Sequence, residues 1–153
     1  ADVLETCIKD FRHAASAAGV TIVLDRDSLA PSVIGDRVCV IQIVSNLLGN
    51  AIKYNKPGGH IDVSAPMLPN GSVQITVRDT GIGIPADKLP TIAEPFAQVI
   101  ADPHITSNGK GLGLAIVNSL ATAHSGRLAI DSVLGEGTTV SVTFPPPDGP
   151  AKN

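Results

Sequence analysis

Amide and ammonium side chains recur on one side of a predicted helix that spans residues 36–55. At about 100° per residue, one side of this helix is apolar and carries Val40, Val44, Leu47, Leu48 and Ala51. The other side carries Gln42, Asn46, Asn50 and Lys53. Asparagine is an unusual choice inside a helix because its side chain competes for backbone hydrogen bonds. Since an amide oxygen suits a hard divalent cation and an ammonium suits a phosphate, this side is either a ligand-binding face or a merely solvated one.

The first of two glycine-rich stretches, residues 79–85, follows a predicted strand and turns sharply away from it. Gly81 and Gly83 let the backbone approach a ligand closely. The carboxylate of Asp79, at the end of the strand, can accept a hydrogen bond from an exocyclic amine. This stretch is therefore a candidate for binding adenine.

The second glycine-rich stretch, residues 108–114, has alternate glycines at the point where a helix is predicted to begin, namely Gly109, Gly111 and Gly113. Free backbone N–H groups and the positive end of the helix dipole favour a phosphate there. Taken alone, the same pattern also fits a flexible linker.

The composition favours one layered domain and argues against nucleic-acid binding. Of the 153 residues, 43% are hydrophobic but only 3% are aromatic, so the core must consist of Val, Ile, Leu and Ala. The net charge is -3, with 11 basic and 14 acidic residues and no basic cluster. Binding to nucleic-acid phosphates would require such a cluster.

The sequence contains no apolar run of the roughly 18 residues that a membrane-spanning helix needs, and we expect no direct membrane contact in this fragment. Its two cysteines, Cys7 and Cys39, match no metal-binding spacing. They are expected to be reduced thiols of a cytoplasmic protein. The chain begins with Ala1 rather than Met, which indicates a piece of a longer protein.

Hydrophobic periodicity predicts three main helices, at residues 3–18, 36–55 and 112–124, the second capped by Asp36. Strands are predicted at residues 20–24, 60–65, 72–79, 127–134 and 138–144, and short helices near residues 86–89 and 90–97. Because an isolated hairpin is not stable, the strands must share one sheet. The predicted fold class is α/β: a two-layer sandwich whose mixed, largely antiparallel sheet of about five strands is covered on one face by three helices. This domain would occupy residues 1–145, followed by a disordered proline-rich tail at 146–153.

Taken together, these stretches resemble the nucleotide-binding boxes of sensor histidine kinases, within the superfamily that includes gyrase, MutL and heat-shock chaperone ATPases. The resemblance consists of an N box at 46–54, a first glycine box at 79–85, an F box at 94–96, a second glycine box at 109–114 and a glycine-threonine turn at 135–139. It covers nearly the whole chain and implies the Bergerat (GHKL) fold. The cofactors that it implies are ATP and Mg²⁺.

The same resemblance implies a role for each matching residue. Asn50 would hold the Mg²⁺ that bridges the nucleotide phosphates, with Asn46 beside it, and Lys53 would pair with a phosphate. Asp79 would bind the adenine amine, and Gly81 and Gly83 would line the base, with Ile84 among the nucleotide-binding residues. Tyr54 would lie near the adenine edge or the sugar, or is simply an amphipathic aromatic residue at a helix end. The second glycine box would contact the phosphates through Gly109, Lys110, Gly111, Leu112, Gly113 and Leu114, and residues 95–109 would form a mobile lid over ATP. Thr138 and Thr139 are better explained as strand residues than as direct contacts, although the family places this turn, with Thr139, near the pocket.

Position 46 separates two kinds of enzyme in this superfamily. The self-contained ATPases carry Glu four residues before the metal-binding Asn, and that Glu deprotonates the attacking water. Asn46 cannot act as this base. The resemblance therefore implies transfer of the γ-phosphoryl group to a histidine, with Asn46, Asn50 and Lys53 contributing positioning and charge neutralisation.

No phosphoacceptor motif occurs around His13, His60, His104 or His124. We therefore expect the chain to bind ATP without phosphorylating itself, because the dimerisation and phosphoacceptor domain lies outside it. The implied partners are that domain and a response regulator, and the isolated fragment should be monomeric.

Three residues depart from the family pattern: Ala93, Lys110 and Asn55. An alternative interpretation is a pseudokinase or scaffold of the same fold, which acts by protein docking with weak or dispensable ATP binding. A serine kinase of the anti-sigma-factor kind is a further alternative. A dinucleotide-binding oxidoreductase is excluded, because neither glycine stretch gives G-x-G-x-x-G between a strand and a helix.

Overall fold

The computed structural model describes residues 2–30, 36–91 and 113–146. These ranges contain three α-helices, α1 (Asp2–Ala17), α2 (Arg37–Lys53) and α3 (Gly113–Ala123), and five strands, β1 (Thr21–Leu24), β2 (His60–Ser64), β3 (Val73–Asp79), β4 (Arg127–Val133) and β5 (Gly137–Phe144). Short 3-10 turns lie at Arg26–Ser28 and Leu89–Thr91. None of the helices in the described ranges is long and apolar enough to cross a membrane.

Each main predicted helix and strand is found within two residues of its predicted ends. Where a short helix was expected at residues 86–89, the chain forms a turn that leads into the 3-10 segment Leu89–Thr91. The predictions made for residues 92–97, for the F box, for the lid and for the tail beyond residue 146 lie outside the described residues.

The five strands form one sheet in the order β1-β2-β3-β5-β4. β1 and β2 run parallel, because α2 crosses over between them, and the other neighbouring pairs are antiparallel. The predicted mixed, largely antiparallel sheet is therefore confirmed. This order places the end of β3, with Asp79, beside the start of β5, with Thr138.

The core lies between one face of the sheet and the helices. Alternate residues of the two central strands point into it: Val73, Ile75 and Val77 of β3, and Val140, Val142 and Phe144 of β5. The residues between them occupy the opposite face, where the Thr76 and Ser141 hydroxyls lie 3.1 Å apart. Since strand side chains alternate between faces, this pattern confirms a two-layer sandwich with one apolar and one polar face.

Helix α2 packs between α1 and α3. Its buried residues include all five that the apolar periodicity predicts, together with Ile43. Asp36 caps the helix as predicted, with its Oδ1 accepting a hydrogen bond from the N–H of Val38 at 2.9 Å. The helix ends at Lys53, two residues earlier than predicted, although the N–H of Tyr54 still donates to the carbonyl of Asn50 at 3.0 Å.

His124 joins the end of α3 to the start of α2. Its Nδ1 lies 2.9 Å from the carbonyl oxygen of Leu120, and its Nε2 lies 3.3 Å from the backbone nitrogen of Asp36. Because a carbonyl can only accept and an amide N–H can only donate, these two contacts match the imidazole tautomer that carries its proton on Nδ1. This contact fixes the relative position of two helices that carry predicted site residues.

Candidate functional site

The polar side of α2 carries Asn46, Asn50 and Lys53, all partly buried, while Gln42 is exposed. Within the described ranges, the side-chain amides of Asn46 and Asn50 make no hydrogen bond. Partly buried amides usually find partners. The two asparagines therefore present free acceptors and donors on the side of α2 that is a candidate ligand-binding face.

Lys53 ends this face with a buried ammonium group. Its Nζ has essentially no solvent contact and no hydrogen-bond partner among the residues described. It lies 5.3 Å from the ring centroid of Tyr54, and this cation–π contact offsets part of the desolvation cost. A buried ammonium without an anionic partner is unfavourable, so the position is suited to receive a phosphate.

Asp79, at the end of β3, is fixed through one carboxylate oxygen. Its Oδ1 accepts hydrogen bonds from the N–H of Gly81 at 2.8 Å and from the N–H of Thr138 at 3.2 Å. Its Oδ2 makes no hydrogen bond within the described part of the chain. Burial raises the pKa of Asp79, although the two backbone hydrogen bonds act in the opposite direction. The result is an oriented carboxylate with one free oxygen, a suitable acceptor for an exocyclic amine.

The first glycine box packs against the end of α2 and against the β4–β5 turn. A Cβ on Gly81 would lie 2.3 Å from the carbonyl oxygen of Tyr54, which also accepts a hydrogen bond from the N–H of Ile82 at 3.0 Å. Gly83 has a φ of +72°, and its Cβ would lie 2.1 Å from the carbonyl oxygen of Val133. Contacts within the protein thus require both glycines. The predicted contact of each glycine with a base remains a prediction.

Ser132 of β4 is a site residue that the sequence analysis missed. Its Oγ accepts from the N–H of Ile84 at 2.8 Å, donates to the carbonyl oxygen of Gly137 at 2.9 Å, and lies 2.8 Å from Oγ1 of Thr138. Through these hydrogen bonds, Ser132 links the first glycine box to the glycine-threonine turn at residues 135–139. The only sequence signal was a hydroxyl in a strand that precedes a glycine turn.

Thr138 and Thr139 lie on opposite faces of the sheet. Thr138 pairs with Asp79 across the β3–β5 ladder and shares the inward face with Val140. Thr139 pairs with Arg78 and Asp131 and lies on the polar face. The structure thus places Thr138 next to Asp79, whereas Thr139 pairs with Arg78; the contact of Thr139 with a nucleotide remains a prediction.

Asn55, noted above as a departure from the family pattern, joins three segments. Its Oδ1 accepts from the N–H of Lys56 at 2.9 Å and from Oγ1 of Thr80 at 3.2 Å, and its Nδ2 donates to the carbonyl oxygen of His60 at 3.2 Å. Thr80 Oγ1 in turn accepts from the N–H of His60 at 3.0 Å. This network helps to hold the end of α2 next to Asp79.

The second glycine box is described only at its end. Gly113 is the first residue of α3, as expected for a box at a helix start, and the side chain of Leu114 packs against the core. Gly109, Lys110, Gly111 and Leu112, like Ala93, lie outside the described residues.

Comparison with known proteins identifies the family. Residues 35–148 match the family described as histidine kinase-, DNA gyrase B-, and HSP90-like ATPase. The non-motile and phage-resistance protein of Caulobacter vibrioides is 42% identical over 147 residues, which cover 94% of this chain and 17% of that protein. An uncharacterized sensor-like histidine kinase of Rhizobium meliloti is 39% identical, over 95% of this chain and 27% of that protein. The chain therefore spans 17% and 27% of the length of these two curated relatives.

Solved structures give the same result. The mycobacterial sensor histidine kinase MprB matches with a TM-score of 0.77 and 27% identity, covering 94% of this chain and 93% of that one. Full-length ShkA, solved in complex with AMPPNP, matches with a TM-score of 0.81 and 29% identity, covering 94% of this chain and 29% of that one. The open five-stranded sheet with three helices is the Bergerat arrangement expected from the sequence. On the family match and on this fold, the chain belongs to the histidine kinase-, DNA gyrase B- and HSP90-like ATPases, as a catalytic and ATP-binding domain of the sensor histidine kinase type.

Proposed function

We propose that this domain binds Mg-ATP and supplies the γ-phosphoryl group for phosphorylation of a histidine on a separate dimerisation domain, in two-component signalling to a response regulator. The observation that carries the proposal is the buried Nζ of Lys53, which has no hydrogen-bond partner among the described residues. Free amides on the same helix face and the oriented carboxylate of Asp79 support it. Together these groups match the chemistry of an adenine nucleotide.

The residues of the site divide between the two ends of such a nucleotide. Asp79 would accept a hydrogen bond from the adenine amine, with Tyr54, Gly81, Gly83 and Ile84 around the base. Lys53 would neutralise phosphate charge, and the backbone N–H groups from Gly109 to Leu114 would bind phosphate oxygens. The site therefore combines one fixed acceptor for the base with several donors for the phosphates.

Asn50 would hold Mg²⁺ through its amide oxygen. No group of three or more His, Cys, Asp or Glu side chains within the described ranges could hold a metal ion. Mg²⁺ at nucleotide sites usually keeps several waters and binds substrate phosphates rather than a dedicated all-protein cage, so the proposal assigns it one amide ligand on α2. When bound, the ion would neutralise charge on the transferred phosphoryl group.

The protein would contribute positioning and charge neutralisation rather than a general base. Asn46 and Asn50 carry no group that can remove a proton at neutral pH, and an acceptor histidine is itself nucleophilic. Phosphoryl transfer of this kind depends mainly on orientation and electrostatic stabilisation. Asn46, Asn50 and Lys53 would act together in this role.

Localisation and partners follow from the same proposal. An ATP-dependent domain that acts with a response regulator would work in the cytoplasm. Its partners would be the phosphoacceptor domain of its parent protein and that regulator, and the isolated domain would be monomeric.

Calorimetric titration with ATP, with and without Mg²⁺, tests the proposal. We expect micromolar to sub-millimolar binding that is lost in Asp79→Asn and loses its Mg²⁺ dependence in Asn50→Ala. Asn118→Ala and Asp131→Asn are matched controls because both residues are exposed and lie outside the site. An absence of binding at millimolar nucleotide would instead favour the scaffold alternative, in which the fold serves protein docking.

Incubation of the isolated chain with labelled ATP tests the assignment of the acceptor to another domain. We expect no acid-labile phosphoprotein. Its appearance would show that one of the four histidines of this chain is an acceptor.

A further inference from the structure

We propose that Ser132 is a positioning residue that determines base selectivity by fixing the direction of the Thr138 hydroxyl proton. This inference rests on the proposed function, in which Asp79 binds the adenine amine. Ser132 would act through Thr138, and it would favour adenine over a base that carries a carbonyl oxygen in place of the amine. Inosine triphosphate carries such a base: its N1 bears a proton where N1 of adenine is an acceptor, and its sugar and phosphates match those of ATP. Because the N1 proton is present in every measurement with inosine triphosphate, only the change in preference between variants reports on the Thr138 hydroxyl.

Ser132 has a single hydroxyl proton, and its neighbours determine where that proton points. The carbonyl of Gly137, 2.9 Å away, can only accept, so Ser132 donates its proton there. The N–H of Ile84 can only donate, so it occupies one lone pair of Ser132 Oγ at 2.8 Å. The remaining contact, 2.8 Å to Oγ1 of Thr138, must then use a proton from Thr138. Oγ1 of Thr138 can then offer only its lone pairs to any further hydrogen bond.

Thr138 lies where such an orientation affects the base. It is the direct cross-strand partner of Asp79, and side chains in that relation lie about 4.5–5.5 Å apart at Cβ. Its N–H also donates to Asp79 Oδ1 at 3.2 Å. The free oxygen of Asp79 and the hydroxyl oxygen of Thr138 therefore form an edge that accepts hydrogen bonds and offers no side-chain proton.

This edge suits an amine and disfavours a carbonyl. The exocyclic amine of adenine donates hydrogen bonds to these two acceptors. The corresponding oxygen of hypoxanthine can only accept, so it would face the oxygens of Asp79 and Thr138 with no proton between them. A site whose polar groups are left unpaired by the wrong ligand rejects that ligand strongly. In Ser132→Ala, the Thr138 hydroxyl is released and can rotate to donate to the hypoxanthine oxygen.

The test is calorimetric measurement of Kd for ATP and for ITP in wild type, Ser132→Ala, Ser132→Thr and Thr138→Val, and in the Ser132→Ala/Thr138→Val double variant. We expect the preference for ATP over ITP to fall about five- to tenfold in Ser132→Ala. The preference should return in Ser132→Thr, which keeps the hydroxyl. In the Thr138→Val background, Ser132→Ala should leave the preference unchanged, because no hydroxyl remains to reorient.

The outcomes separate this inference from the proposed function. Wild type that fails to bind ATP, or that binds ATP and ITP equally, would contradict the proposed function. A second outcome is that wild type prefers ATP and that Ser132→Ala weakens both nucleotides equally, so that the preference is unchanged. That result would overturn the role of Ser132 and leave the proposed function standing. If Ser132→Ala does not fold, Ser132→Cys tests the same point, because a thiol is a weak donor and acceptor. An unchanged preference in that variant would equally overturn the inference.

Discussion

Gly81 lies directly against the carbonyl oxygen of Tyr54, where a Cβ on the glycine would be only 2.3 Å from that oxygen. This contact joins the first glycine box to the end of α2. Lys53, the candidate phosphate-binding residue, immediately precedes Tyr54, and Asp79, the candidate base-binding residue, lies two residues before Gly81. The close approach of Gly81 to Tyr54 therefore fixes the position of Lys53 relative to Asp79. The spacing of the two therefore depends on a glycine that need not touch the ligand.

Gly81→Ala should damage both stability and nucleotide binding. Its Cβ would force the Tyr54 carbonyl or the glycine box to move, which should cost about 1–3 kcal/mol in free energy of unfolding. We expect at least a tenfold loss of ATP affinity as the two halves of the site separate. Urea denaturation and calorimetry would measure these changes.

Gly49→Ala is the matched control for that substitution. Gly49 lies within α2, and its Cβ would make only an ordinary contact, 3.8 Å from Cε1 of Phe11. Alanine should therefore raise the free energy of unfolding by about 0.5–1 kcal/mol without weakening ATP binding. Wild-type affinity in Gly81→Ala would show that the contact with Tyr54 does not set the geometry of the site.

Lys53→Met should weaken ATP binding without destabilising the unliganded domain. Methionine fills the same space and removes a buried charge that has no hydrogen-bond partner among the described residues. We expect an unchanged or higher free energy of unfolding and about a 10- to 100-fold loss of ATP affinity. Calorimetry and urea denaturation would measure both.

The exposed Lys56 provides the control for this experiment. Lys56→Met should change the free energy of unfolding by no more than about 0.5 kcal/mol and leave ATP affinity unchanged. Marked destabilisation by Lys53→Met in the absence of nucleotide would mean that the ammonium stabilises the fold, against our interpretation.

Asp79→Asn should abolish ATP binding without lowering the free energy of unfolding at neutral pH, and its effect on stability should depend on pH. Burial raises the pKa of Asp79 above its ordinary value of 3.8, so the folded protein holds this proton to higher pH than the unfolded chain. The stability that the carboxyl contributes is therefore complete below the ordinary pKa and is lost as the pH rises through the folded-state pKa. At neutral pH, Asp79→Asn should be at least as stable as wild type, since an amide oxygen can accept the same two N–H groups.

Urea denaturation over a pH series tests this sign. The stability advantage of Asp79→Asn over wild type should shrink as the pH falls through the raised pKa. Asp131→Asn, at an exposed position, is the matched control for the loss of one carboxylate. An advantage that grows toward acid pH would mean that Asp79 is stabilised as the charged form.

Asp36→Ala should destabilise the domain by about 1 kcal/mol, because it removes the side-chain acceptor for the N–H of Val38 at the start of α2. Asp36→Ser should retain most of the stability because serine also caps helices. The backbone contact of residue 36 with His124 is available to both variants. Equal stability of Asp36→Ala and wild type in thermal unfolding would contradict the importance of this cap.

Local periodicity was sufficient to predict the elements of this fold. The apolar side of α2 and the polar side with Asn46, Asn50 and Lys53 follow from helix geometry alone, because residues three or four apart lie on one face. Asp79 could likewise be identified as a candidate because a strand ends there and a glycine turn begins. Each of these conclusions depends on residues that are close in the chain.

The tertiary structure decided the contacts between segments that are distant in the chain. The register of β3 against β5 places Thr138 rather than Thr139 beside Asp79, and a shift of one residue would have reversed that choice. Ser132 lies 48 residues from Ile84 in sequence, and Asn55 lies 25 residues from Thr80. Such hydrogen bonds leave no periodic signal, because they depend on the order and register of strands. The sequence by itself therefore determined the helices, the strands and the chemical groups of the site, whereas folding determined which of those groups face one another.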